Sequence, residues 1–352
     1  MKKKGLSIFS ISATYIGTVV GAGFASGQEV LQFFAYHGAK GFAGLITATI
    51  MFIVYGYIIL ILGLKLNASS YYEVIIKAVG PILGKVVDWI VIFFLFGALT
   101  AMIAGSGAIF KEQYGLPTAL GSAAMAIISV FTVLTGIAGV ISAISFVVPL
   151  LLLSVFTISI LTIFYSPDIT VISSVSISVN AAVKNFLISG IVYASYNLIM
   201  SVAILAPLGK QAKDKKKLKW GALLGGTGLG IGAALILSAL LTNMPQAAHY
   251  QIPMLFIAGR FSGSLKLIYS FILIAEIYTT AVGNLYGFSA RLTNAGTIKY
   301  KAYTIVTGGI ALIASRFGFS KLVHYLYPIA GYAGIVMLIG LTFSLIKKKN
   351  YV

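Results

Sequence analysis

Gly17-Thr18-Val19-Val20-Gly21-Ala22-Gly23-Phe24-Ala25-Ser26-Gly27 lies in the middle of the first apolar segment, where a membrane span should be most regular. Glycine costs about 1 kcal/mol relative to alanine in a helix interior. Four glycines among these eleven positions therefore predict an unwound stretch. At bilayer depth, unwound backbone is tolerated only where it is buried in protein or lines a cavity, because unpaired N–H and C=O groups find no water in lipid. A first helix broken at this point implies a polar species bound at mid-membrane, and that points to a transporter.

Composition agrees with a membrane setting. The chain is 59% hydrophobic and 9% charged, with a mean hydropathy of +1.01, which excludes a soluble globular protein. It has no cysteine, which removes disulfides, thiol nucleophiles and thiolate metal sites. A net charge of +18 would suggest nucleic acid in a soluble protein. Here the lysines sit in short loops beside apolar spans, so orientation in the bilayer explains them and no nucleic-acid partner is expected. Lys2-Lys3-Lys4 resembles a signal-peptide n-region, but the apolar run continues to about Ala35 and is followed by many others, so it reads as a retained first span.

Runs of ~20 apolar residues mark spans, and ten are expected: 7–36, 41–64, 80–110, 117–137, 141–165, 185–208, 219–242, 263–290, 301–315 and 321–346. Tyr71 to Val79 reads as a short interfacial helix, and 166–184 is the longest polar connection. With the N-terminus inside, 18 of the 25 lysines and arginines fall on cytoplasmic pieces, and both basic termini require an even number of spans. The expectation is a multi-pass protein of the cell membrane with both termini cytoplasmic.

The sixth span carries its own irregular patch, Ser189-Gly190 followed by Tyr193-Ala194-Ser195-Tyr196-Asn197. Breaks in spans one and six imply two five-helix units, and an odd number per unit inserts the second one upside down. The fold class expected is therefore an all-α integral membrane protein with a 5+5 inverted repeat. Residues 1–352 form one transmembrane domain, with repeats 1–165 and 166–352.

Seven acidic residues exist, and Glu73, Glu112, Asp168 and Asp214 fall in loops or at interfaces. Glu276 lies well inside span eight, where i, i+3, i+4 spacing puts it on a face with Thr279 and Thr280. A carboxylate and two hydroxyls are hard oxygen ligands suited to a small cation or a proton, and intramembrane ionisable residues are usually functional. The alternative is a carboxyl kept neutral or hydrogen-bonded for packing. Glu29 follows the broken segment toward the outer side and is a candidate for the outer vestibule or a gate, with His324 or Lys321 as partner; an isolated hydrated carboxylate is the other reading. Asp88 is explained by an i, i+3 pair with Lys85. The Gly225 to Gly232 glycines of span seven read as a close packing face. No dinucleotide fingerprint, P-loop, catalytic triad or metal-binding spacing holds up in context, so neither an enzyme nor a bound cofactor is expected.

The run Thr14-Tyr15-Ile16-Gly17-Thr18-Val19-Val20-Gly21-Ala22-Gly23-Phe24-Ala25-Ser26-Gly27-Gln28-Glu29 resembles the start of bacterial YkvI-like membrane proteins. These are grouped with the amino acid–polyamine–organocation superfamily of LeuT-type fold, whose minimal form is ten spans. The resemblance implies substrate at Gly21, Ala22, Gly23 and Ser26 and at Tyr193, Ala194, Ser195, Tyr196 and Asn197. It implies a cation, Na+ or its equivalent, between the carbonyls of Gly17 and Val20 and the hydroxyls of Thr279 and Thr280. Glu276 departs from sodium-coupled relatives, which have a small residue there, and a carboxylate in low dielectric can carry a proton instead. The function expected is cation-coupled secondary transport of a small solute, an amino acid or related amine, by alternating access. A passive channel or facilitator and a non-transporting membrane sensor are the alternatives.

Overall fold

The computed structural model describes residues 6–68, 71–135, 138–165, 180–293 and 297–347, and all regular elements among them are helical. The first segment divides into α1 (Ile8–Val19), α2 (Ala22–Ala25) and α3 (Gln28–Phe33). There follow α4 (Lys40–Lys65), α5 (Tyr71–Tyr114), α6 (Thr118–Thr135), α7 (Ala138–Tyr165), α8 (Phe186–Ala212) and α9 (Lys215–Leu241). After a short α10 (Pro253–Phe261) come α11 (Gly263–Leu292), α12 (Ile298–Ala314) and α13 (Phe319–Lys347). Eight helices among the described residues are long and apolar enough to cross a membrane. The other two expected spans are the divided α1–α3 segment and α12, whose 17 residues, at ~1.5 Å each, rise ~26 Å, close to a hydrocarbon core of ~30 Å.

Local chemistry sets several boundaries. Gly80, at φ 82°, takes the left-handed conformation that glycine permits. Pro81 then starts the next helix without a backbone N–H to satisfy. This break separates the interfacial helix expected over Tyr71–Val79 from the third span. In the 243–262 connection, Pro253 at the first turn nucleates α10. Asp214 caps α9 by accepting from the backbone N–H groups of Lys216 and Lys217 at 2.9 and 3.3 Å.

Several helix contacts follow the exchange that two equivalent five-helix units would give. Exchanging spans one to five with six to ten turns the α1–α9 contact into the α8–α4 contact, and both are extensive. The α4–α9 and α5–α11 contacts map onto themselves, and α5–α13 exchanges with α11–α7. The boundary expected between repeats, in 166–184, falls mainly on residues 166–179, outside the described residues.

The α4–α8 crossing is close enough to require glycine. A Cβ on Gly44 would overlap the Phe186 carbonyl, one on Gly190 the Gly44 carbonyl, and one on Gly209 the Leu60 carbonyl. Small residues that let backbones touch are the means by which helices associate where no hydrophobic drive exists between them. The glycines of α9 serve similarly: Gly225 and Gly228 face Tyr15 and Ile16 of α1, while Gly226 and Gly230 face Ile53 and Thr49 of α4.

Two expectations are corrected. The sixth span is not broken, because α8 is continuous from Phe186 to Ala212. Its polar residues bond their own helix instead of prising it open. Ser195 Oγ donates to the Ile191 carbonyl at 2.7 Å, and Asn197 Nδ2 to the Tyr193 carbonyl at 3.1 Å. Its two glycines, Gly190 and Gly209, are used for the α4 crossing. Asp88 pairs not with Lys85 but with Arg291 of α11, whose guanidinium meets both carboxylate oxygens at 2.5–3.2 Å. The planar fork matches a carboxylate better than an ammonium one helical turn away.

Candidate functional site

The break in the first span has two parts. Val20 and Gly21 are extended between α1 and α2, and Gly27, at φ 79°, turns α2 into α3. Val20 N–H still donates to the Ile16 carbonyl at 2.8 Å, but the carbonyls of Gly17 to Val20 are followed by no helical turn that donates to them. The stretch is held in protein. Tyr269 of α11 donates its hydroxyl to the Ala25 carbonyl, Met254 N–H donates to the Ser26 carbonyl at 3.0 Å, and Ser26 Oγ donates to the Gly23 carbonyl at 2.8 Å. Ala22 to Ala25 are all buried, whereas Gly21 is partly exposed and a Cβ built there would meet nothing within 4 Å.

Glu276 is 3% exposed on α11, seven residues beyond Tyr269. At 100° per residue, Glu276 and Thr280 share the Tyr269 face within ~20°, so both look toward the first span. Measured from the Tyr269–Ala25 bond, they lie ~10 and ~16 Å along α11. Thr280 Oγ1 is 3.3 Å from Glu276 Oε1, and Thr279 Oγ1 donates to the Glu276 carbonyl at 3.0 Å. Glu276 Oε2 is buried without a hydrogen-bond partner among the described residues.

Glu29 is 6% exposed and turns back over the break. Its carboxylate rests on the Cα of Gly23, so that any Cβ there would overlap Oε1, while Oε2 accepts the hydroxyl of Tyr196. Around this pair lies an aromatic cluster drawn from four spans. The Tyr196 ring stands 5.1 Å from Tyr327, 5.5 Å from Tyr193, 5.7 Å from Phe33 and 6.0 Å from Phe94, centroid to centroid.

The expected site residues thus divide. Gly21, Ala22, Gly23 and Ser26 form the break, with Tyr193 and Tyr196 beside α3, while Ala194 and Ser195 are fully buried in helix packing, Ser195 against Gly334 of α13. Asn197 is committed to its own helix. Glu29 and His324, considered together as a gate, do not meet; His324 Nδ1 lies 2.7 Å from Gln32 Oε1. That bond, with Gln28 Nε2 donating to Ser320 Oγ at 2.5 Å, ties α3 to α13. Gln28 and Gln32, one turn apart in an apolar segment, are the sequence signal of this seam. Tyr269, Tyr327 and Phe94 carry no such signal, being aromatic residues in aromatic-rich helices. Glu112, expected in a loop or at an interface, accepts the backbone N–H groups of Gln251 and Ile252 at 2.7 and 3.2 Å and so anchors the approach to α10.

Comparison with known proteins now assigns the family. No protein-family model matches the chain. It is 32% identical over 347 residues to the membrane protein YkvI of Bacillus subtilis (strain 168), covering 96% of each chain. The chain belongs to the YkvI family of membrane proteins. The fold of this YkvI-family protein is that of Mhp1 in its inward-facing conformation, with a TM-score of 0.69 at 14% identity over 98% of this chain and 78% of that one. A Na+-coupled sialic acid symporter in a substrate-bound outward-open state gives 0.62 at 14% identity, over 96% and 79% of the two chains. The YkvI-family chain is therefore a multi-pass helical membrane protein with the LeuT-type fold.

Proposed function

We propose that this protein is a secondary transporter that carries a small solute, an amino acid or related amine, across the cell membrane by alternating access. Both termini are cytoplasmic in this reading. The observation that carries it is the divided first span, whose carbonyls at Gly17 to Val20 are followed by no helical turn and whose Ala25 carbonyl is bound by Tyr269, on the α11 face that also bears Glu276 and Thr280. Such a pairing of freed backbone with hard oxygen side chains suits a cation, and substrate binds at the break beside it. The seam from Gln28 and Gln32 to Ser320 and His324 closes the α3 end. At the other end, Ser10, Thr14, Gly17 and Gly21 form a small, partly exposed stripe along α1, which supports a path open toward the cytoplasm.

Coupling runs through Glu276, Thr279 and Thr280, with a proton as the favoured ion because a carboxylate is not needed to hold sodium with two hydroxyls and two carbonyls. The test is reconstitution of the full chain into liposomes, loaded in turn with amino acids and amines, with counterflow first and then uptake under an imposed pH gradient or sodium gradient. The expected result is trans-acceleration, accumulation driven by the pH gradient, and a Glu276→Gln variant that exchanges but does not accumulate. Flux without trans-acceleration identifies a pore, and binding without flux a sensor. Accumulation that follows neither gradient refutes coupling.

A further inference from the structure

A cavity of about 710 Å³ lies between α5, α6, α12 and the turn that leads into α13, and no residue of the divided first span lines it. Its size falls within the ~300–1,000 Å³ usual for ligand sites. Alanines make its inner wall, Ala104 and Ala108 on α5 and Ala119 and Ala123 on α6, so short side chains leave the space unfilled. Two cations line it as well, Arg316 and Lys321, both exposed. Neither is among the 18 basic residues on cytoplasmic pieces, so orientation in the bilayer does not account for them.

Among the described residues neither cation makes a hydrogen bond or an ion pair, and no acidic side chain lines the cavity. Glu112, whose carboxylate takes the Gln251 backbone N–H, lines a separate cavity with Arg260 and Lys266. The first residues of α6 and the first turn of α13 border the same space, and the positive ends of two helix dipoles add to its field. One edge is apolar and faces outward: Ile313 and Phe317 line the cavity yet are 66% and 70% exposed. Because α12 ends at Ala314 and α13 starts at Phe319, Arg316 and Lys321 stand at the ends of two spans, where hydrocarbon gives way to headgroups.

We propose that this cavity binds the headgroup of an anionic phospholipid, its phosphate held by Arg316 and Lys321 and its acyl chains laid along Ile313 and Phe317. Basic pockets between membrane helices take lipid headgroups by this chemistry. A soluble anion would use the two charges and leave the apolar edge bare. A zwitterionic lipid would bring a further positive charge into a space with no acid to receive it, and that repulsion gives the selectivity. Binding here is independent of what the protein transports. Ser320 lines the cavity and also accepts the Gln28 amide, so an occupant should stabilise the fold by holding the turn beside the α3–α13 seam.

The test uses the detergent-purified full chain, with equilibrium binding and thermal stabilisation measured for four probes: dioctanoylphosphatidylglycerol, dioctanoylphosphatidylcholine, dioctanoylglycerol and sn-glycerol 3-phosphate. The phosphatidylglycerol should bind saturably and raise the melting temperature, and the other three should bind at least about tenfold more weakly. Arg316→Gln with Lys321→Gln should weaken phosphatidylglycerol binding at least about tenfold. Ala119→Phe, which fills the cavity without changing charge, should do the same. Lys40→Gln with Lys184→Gln removes equal charge at exposed lysines that do not line the cavity and should stay within about twofold of wild type. Where the Arg316 and Lys321 variant melts before lipid is added, Ala119→Phe and the probe series on the wild-type chain decide. Equal binding of the two phospholipids overturns the assignment, as does Ala119→Phe or a folded Arg316 and Lys321 variant within about twofold of wild type. Loss of binding in the Lys40 and Lys184 variant would mean diffuse surface attraction and overturn it too. Binding of sn-glycerol 3-phosphate as tight as that of the phosphatidylglycerol would make this a site for a soluble anion and not for a lipid.

Discussion

Gly23→Ala puts a methyl carbon on the Oε1 position of Glu29 and within 2.9 Å of its Cδ. The carboxyl is the end of a flexible side chain, so the protein can still fold, but Glu29 must rotate off Gly23 and release Tyr196. A hydrogen bond to a charged group contributes about 1.5–3 kcal/mol. The expected loss of stability is of that size, about ten- to hundredfold in the unfolding equilibrium. Glu29→Ala removes the same bond and also clears the space the new methyl needs. Gly23→Ala combined with Glu29→Ala should therefore be no less stable than Glu29→Ala alone, a coupling of about 1.5–3 kcal/mol in a double-mutant cycle. The assay is denaturant unfolding of the purified protein in detergent, followed by the fluorescence of Trp89 and Trp220. Strict additivity of the two single changes would refute the contact, as would a Gly23→Ala protein within about 0.5 kcal/mol of wild type, the range of an ordinary surface substitution. In that event glycine at position 23 serves only the backbone of the break.

Two further outcomes are expected. Reporter fusions after residues 214 and 349 should both report cytoplasm and one after 175 the outside; opposite sides for 214 and 349 would remove the ten-span topology. Gly190→Leu should drive α4 and α8 apart, because its Cβ overlaps the Gly44 carbonyl, and cost at least about 1–3 kcal/mol in the same unfolding assay. Gly309→Leu, whose Cβ meets nothing within 4 Å, should stay near wild type, and equal effects at the two sites would show that the crossing is not tight.

What the chain alone determined is governed by local energetics. Ten apolar runs specify spans because each must satisfy its backbone within itself in lipid. The Gly17 to Gly27 stretch specifies the break, because its glycines lower the helix's advantage where no neighbour restores it, and Gly27 takes a left-handed φ. Glu276 was legible as well, since a lone carboxylate inside an apolar run stands out and its face follows from helical spacing. The state of span six was not legible. Ser195 and Asn197 can bond either a ligand or their own helix, and in the packing of α8 against α4 and α13 both turn to carbonyls of their own helix. Asp88 likewise had a local partner on paper and took Arg291, 203 residues away, because only the fold brings a guanidinium fork to both its oxygens. Glu29 is the furthest case. Its sequence neighbours place it beyond the break, but the turn at Gly27 sends α3 back so that its carboxylate returns over Gly23 and meets Tyr196, 167 residues away, among rings from other spans. Helical periodicity fixes which residues share a face, whereas the partner of a buried charge depends on which distant helix the packing delivers to that face, and only the tertiary structure decides that.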